Sequence, residues 1–147
     1  MKQIIAIASD HAGFDYKKML AEYLKTEGYS VLDLGPDSIS KVDYPLFADK
    51  VCKSVQKNES DYGILICGTG IGMSIAANKH KGIRAGLCGD SKSATLTREH
   101  NNANVLCMGA RIIPFETAIE ITDNFLKSEF LTGGDHENRV RMLDELL

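Results

Sequence analysis

Gly63-Ile64-Leu65-Ile66-Cys67-Gly68-Thr69-Gly70-Ile71-Gly72-Met73-Ser74-Ile75-Ala76-Ala77-Asn78-Lys79 is the stretch that decides the fold. It opens with an apolar run, turns through three closely spaced glycines and continues as a helix. An apolar run without in–out alternation marks a strand covered on both faces, as in a parallel sheet. The same strand-then-helix unit recurs on either side. Ile4–Ala8, Ser30–Leu34, Gly63–Cys67, Ile83–Cys88 and Val105–Met108 read as strands. Phe14–Thr26, Leu46–Val55, Gly72–Lys79, Ser91–Glu99 and Pro114–Leu126 read as helices, and His136–Leu147 as a closing amphipathic helix. Gly28 stands where glycine stops a helix and Pro114 where proline starts one. Helical connections exclude hairpins and impose right-handed crossovers. The expectation is one α/β domain over residues 1–147: a three-layer α/β/α sandwich on a parallel five-stranded sheet.

The bulk numbers exclude several classes. The chain has 147 residues, 44% hydrophobic and 25% charged, with a net charge of −3. That is the size and make-up of one globular domain. No basic stripe favours nucleic acid, and no apolar run approaches the roughly 20 residues of a membrane helix. Asp10 and His11 come too soon after the first strand for a secretory leader, so a cytoplasmic protein is expected. Cys52, Cys67, Cys88 and Cys107 lack CxxC spacing. Neither a zinc site nor a dithiol redox pair is indicated, and free thiols are expected.

In a parallel sheet, ligands bind at the carboxyl ends of the strands. Ser9, Asp10, His11 and Gly13 come after the first strand, Cys67–Gly72 after the third, Gly89 and Asp90 after the fourth, and Gly109, Ala110 and Arg111 after the fifth. Arg98-Glu99-His100-Asn101-Asn102 stands just before the fifth. The expectation is that an acid, two imidazoles, a thiol, a glycine cradle and an arginine converge on one edge. The glycines of Cys67–Gly72 turn backbone N–H groups toward a ligand, and the helix after them favours negative charge there. A helix N-terminus is also one of the settings that activates a cysteine such as Cys67. The loop partly resembles a dinucleotide fingerprint, with Asp90 as a ribose acid. However, Met73 stands where the third fingerprint glycine belongs, so that reading ranks second. Tyr44 can be explained as packing on Pro45, and Arg111 as a surface residue. Cys52, Cys88 and Cys107 read as core.

These motifs resemble the ribose-5-phosphate isomerase type B family and its galactose-6-phosphate and allose-6-phosphate isomerase relatives. The resemblance runs end to end. It is carried by Ser9–Gly13, Asp43-Tyr44-Pro45, Ile64–Lys79, Gly82–Ala85, Arg98–Asn101, Asn104–Leu106 and the Gly133-Gly134-x-His136-x-x-Arg139-Val140 tail. It implies a Rossmann-like sheet of order 2-1-3-5-4 and metal-free, cofactor-free aldose–ketose isomerisation through an enediolate. Some members replace the cysteine by serine and use a glutamate further along the loop. Ile75 occupies that neighbourhood here, so the cysteine route is implied.

By resemblance, Cys67 moves the proton between C1 and C2, with Thr69 beside it in the catalytic loop. His100 opens the sugar ring and Asp10 orients or shuttles protons among the hydroxyls. Gly68, Gly70, Ile71 and Gly72 belong to the stretch that holds the enediolate oxygen. Arg111, Arg139 and His11 take the phosphate, and Asn101 and Tyr44 contact the sugar. Asp43, Asp135 and His136 are further candidates. The family's sites lie at a dimer interface, so a homodimer or dimer of dimers with shared sites is implied. The substrate is a sugar phosphate: ribose 5-phosphate first, a six-carbon sugar phosphate as the rival. A non-catalytic nucleotide- or phosphate-binding module is the reading from another class. The tail departs from the family pattern, since Asp135 stands where an arginine is usual. Asp135 reads either as a helix N-cap or as a change in the phosphate clamp, with Arg141 either a compensating cation or a solvated residue.

Overall fold

The computed structural model describes residues 2–147. Its elements run β1 (Ile4–Ser9), α1 (Phe14–Thr26), β2 (Ser30–Asp33), α2 (Tyr44–Gln56), β3 (Tyr62–Cys67), α3 (Ile71–Ala77), β4 (Ala85–Leu87), α4 (Ser91–Glu99), β5 (Val105–Gly109), α5 (Phe115–Lys127) and α6 (Asp135–Asp144). The strands form one sheet of order β2-β1-β3-β5-β4, with every neighbouring pair parallel. This is the fold class and order expected from the sequence. Most differences lie at element ends. α2 starts at Tyr44, with Pro45 in its first turn where a missing N–H costs nothing. β4 has only three residues, so Cys88 falls just beyond it.

Alternation along the strands is hidden because both faces are apolar. Ile5, Ile7, Ile64, Ile66, Leu106 and Met108 meet Leu20, Leu24, Ile121 and Phe125 of α1 and α5. Ala6, Ala8, Leu65, Cys67, Val105 and Cys107 meet Ala48, Val51, Met73 and Ala77 of α2 and α3. At the amino-terminal end of the sheet, buried Arg98 stitches the turn between α4 and β5. It donates to the Ala103 carbonyl at 2.6 Å and to Asn102 Oδ1 at 3.0 Å. Its guanidinium lies 4.8 Å over the Tyr62 ring. α6 is tied down by Val140 and by an Arg84–Asp144 ion pair of 3.0 Å. No helix among the described residues is long and apolar enough to cross a membrane.

Phe125 is fully buried, edge-on to Tyr62 at 5.6 Å. Phe125→Ala should cost about 3–5 kcal/mol in urea denaturation. Ile39→Ala, at a residue 67% exposed, should stay within about 0.5 kcal/mol.

Candidate active site

Three strands deliver the residues beyond their carboxyl ends to one place. The Asp10 N–H donates to the Ile66 carbonyl at 3.2 Å, Ala110 N–H to the Cys67 carbonyl at 2.9 Å, and Arg111 N–H to the Gly68 carbonyl at 2.9 Å. Asp10, Cys67, Gly68 and Arg111 are thereby fastened side by side. Asp10 is buried, and its Oδ1 accepts the Gly13 N–H at 3.0 Å. One carboxylate oxygen thus shapes the chain's entry into α1, which leaves the other for chemistry.

The glycine loop is shaped by close approach. Gly70 has φ of 80°, and a Cβ there would meet the Met108 carbonyl carbon at 2.8 Å. Its N–H donates to Cys67 Sγ at 3.2 Å. Gly72 lies beneath the Tyr44 ring, where a Cβ would fall 2.5 Å from Cζ. The Ile71 N–H is taken by Thr69 Oγ1 at 3.2 Å. The N–H groups of Gly68, Thr69 and Gly72 have no acceptor among the described residues. A sulfur and free N–H groups beside one another are what removal of a carbon-bound proton next to a carbonyl requires: a base and an oxyanion site. Arg111 is exposed and reaches over Gly68, its Nη1 3.3 Å from where a Cβ would stand. His11 Nδ1 accepts the Val42 N–H at 3.3 Å, and Tyr44 is partly exposed at the start of α2. Asp43 precedes α2, exposed and without a capping hydrogen bond from its side chain.

The four cysteines are free, and only Cys67 sits in this loop. Burial pushes the Cys52 thiol up to about 12 and the Cys88 thiol up to about 11. Cys107 is wholly enclosed, and burial raises it well above the ordinary thiol range. Those three are core groups, as expected.

The remaining residues are elsewhere, which corrects the expectation of a single edge. His100 comes directly after α4, and the turn beyond it leads into the start of β5. Asn104 of that turn accepts the Gly63 N–H at the beginning of β3 and donates to the Arg84 carbonyl before β4. His100 and Asn101 therefore belong to the amino-terminal end of the sheet. A strand of five or six residues, about 13–17 Å, separates that end from Cys67. The reason is directional: in a parallel sheet, residues before a strand and residues after it lie at opposite ends. There, His100 is stacked on His136 of α6, centroids 3.9 Å apart and planes within 7°. Nothing in the residue order announced that stack. Exposed Arg139 lies three residues further along α6.

The Asp135 alternatives are also narrowed. Gly134 occupies the N-cap position, and no capping hydrogen bond comes from a side chain. Asp135 is the first residue of α6, an exposed carboxylate where the helix dipole favours negative charge. It makes no ion pair with Arg139 among the described residues, and Arg141 Nη2 donates to Asn138 Oδ1 at 2.5 Å.

Beside α3 and β4 runs an open groove of about 760 Å³ bordered by Ile75, Asn78, Arg84, Asn101 and Leu143. Ile71, Ile75 and Leu87, on α3 and β4, are 52%, 58% and 43% exposed.

Residues 5–143 match the family model described as Ribose/Galactose Isomerase. The ribose-5-phosphate isomerase B of Escherichia coli is 45% identical over 139 residues, covering 95% of this chain and 93% of that protein. A ribose 5-phosphate isomerase structure from Thermotoga maritima is 51% identical, with a TM-score of 0.96 over 99% of both chains. The ribose-5-phosphate isomerase B structure from Mycoplasma genitalium, which has bound ribulose 5-phosphate, is 47% identical. Its TM-score is 0.93, over 97% of this chain and 95% of that one.

The thiol environments generate a chemical prediction. Iodoacetamide at mildly alkaline pH should modify Cys67 before Cys52, Cys88 or Cys107, because burial keeps those three protonated. Peptide mapping by mass spectrometry reads the order, and labelling of Cys52 or Cys88 first would contradict it.

Proposed function

As a member of the ribose/galactose isomerase family, the chain is an isomerase, and we propose that it interconverts ribose 5-phosphate and ribulose 5-phosphate through an enediolate. The observation that carries the reading is Cys67 Sγ beside backbone N–H groups without protein acceptors. Cys67 takes the proton from C2 of the open-chain aldose and returns it to C1. The loop Gly68–Gly72 donates to the oxygen that becomes anionic, with Thr69 shaping its turn through Ile71. Asp10 orients the sugar hydroxyls with its unengaged oxygen and shuttles the O2 hydroxyl proton to O1, so that C2 becomes the ketone carbonyl. Arg111 and His11 meet the phosphate, which anchors the substrate without reacting and so places C1 and C2 at the sulfur. Tyr44 packs over the loop and contacts the sugar.

His100 protonates the ring oxygen on opening, and Asn101 and Arg139 bind substrate beside it. Because these lie at the other end of the sheet from Cys67, we propose that they serve the site of a second copy in a homodimer. Under two-fold symmetry each copy then completes the other's site. The exposed Ile71, Ile75 and Leu87, next to the glycine loop, and the groove that Ile75 borders suit burial against that copy. A cytoplasmic setting suits four free thiols. The substrate pair places the enzyme in the pentose phosphate pathway.

The direct test is incubation with ribose 5-phosphate, allose 6-phosphate and galactose 6-phosphate in turn, with ketose measured by NMR. Fastest turnover of ribose 5-phosphate supports the proposal, and turnover of only a six-carbon substrate overturns it. Cys67→Ala should lower kcat at least about 100-fold, the usual contribution of a general base. Its fold should be retained by circular dichroism.

The tail makes a separate prediction. Arg139→Ala should raise KM about tenfold or more through loss of a charge-assisted bond. Asp135→Asn changes only an exposed, unpaired carboxylate. It should leave KM within about twofold, as surface charges contribute little.

A further inference from the structure

We infer that Lys17, acting with Asp33, is a positioning residue for the phosphate end of the site: it holds segment 35–43 so that the Val42 N–H fixes the orientation and tautomer of His11. The inference rests on the proposed role of His11 in meeting the substrate phosphate.

Lys17 is anomalous. It lies on α1 next to Lys18, which is exposed, yet Lys17 itself is only 1% exposed. A lysine normally keeps its ammonium in water, and a buried one needs a full set of partners. Here Nζ donates to Asp33 Oδ1 at 2.8 Å, to Asp33 Oδ2 at 3.1 Å and to the Pro36 carbonyl at 2.6 Å. The Phe14 ring covers it, with 5.1 Å from Nζ to the centroid. No step of the proposed reaction uses this charge.

Its partners show what it holds. Asp33 Oδ1 also accepts the Gly35 N–H at 3.0 Å, and the Gly35 carbonyl accepts the N–H of Ser9, next to Asp10, at 3.1 Å. After Pro36 the chain is irregular until α2 begins at Tyr44. Among the described residues, residues 36–42 have two hydrogen bonds to the rest of the protein: Pro36 to Lys17 and Val42 to His11. The contact between Ser40 N–H and Ser38 Oγ is internal. Lys17 thus secures one end of a strap whose other end sets His11.

The Val42 bond has a chemical consequence. Nδ1 accepts an N–H, so in the neutral ring the proton sits on Nε2, the nitrogen left to donate to an anion. A slack strap would free the ring to rotate and to exchange tautomers without removing any group that touches the substrate.

The test is ¹⁵N NMR of the histidine-labelled enzyme, with titration by inorganic phosphate. His11→Asn identifies the His11 signals. The wild type should show the Nε2–H tautomer at His11. Lys17→Met removes the ammonium at similar length and should give a mixture of tautomers. It should also weaken phosphate about fivefold, less than the loss expected from deleting a charge-assisted bond outright. KM for ribose 5-phosphate should rise in parallel, with kcat changed less than about twofold. Asp33→Asn should shift the same signals in the same direction and carries the test if Lys17→Met does not fold. An unchanged Nε2–H tautomer and unchanged phosphate affinity in the folded variant would overturn the inference. If the wild type fails to isomerise ribose 5-phosphate, the functional reading falls, while the tautomer signal still judges the strap.

Discussion

A parallel strand carries the residues after it to one end of the sheet and the residues before it to the other, and the placement of the candidate site residues here depends on that direction. β1, β3 and β5 end together, so Asp10, Cys67, Gly68 and Arg111 are joined by backbone hydrogen bonds at their junction. β3, β4 and β5 also begin together, where Asn104 ties the turn after His100 to Gly63 and Arg84. One rule of chain geometry assembles the Cys67 thiol and the glycine loop at one end and keeps the imidazole pair at the other.

The same geometry distinguishes one sulfur from three. Cys52, Cys88 and Cys107 are held protonated by burial. Cys67 is also largely enclosed, but it is the last residue of its strand and its sulfur receives the Gly70 N–H. The left-handed backbone at Gly70 and the press of Tyr44 on Gly72 give the loop its shape. Packing below the loop and hydrogen bonding within it are thus parts of one arrangement.

Much of this was legible in the residues, because it is local. Apolar runs in alternation with amphipathic stretches disclosed the five strands and six helices. The spacing Gly68-x-Gly70-x-Gly72 after Cys67 marks the tight turn from β3 into α3. The features misread or missed are tertiary. His100 lies near β5 in sequence but before it rather than after it, and that difference moves it a full strand length. Lys17 and Lys18 look alike on a helix until Asp33 and the Pro36 carbonyl take the ammonium of Lys17 alone. The stack of His100 on His136 joins two residues far apart in the chain. Asp135 has the chemistry of a cap, yet the helix begins on it and Gly134 takes the cap position.

The proposal that two copies of the chain each supply half of every site is tested by co-expressing Cys67→Ala and His100→Ala, each of which should be nearly inactive alone. In a mixed dimer, one site carries both defects and the other carries neither. Random pairing should therefore restore about a quarter of wild-type activity under two-fold symmetry. Activity no greater than that of the two variants measured separately would contradict the shared site.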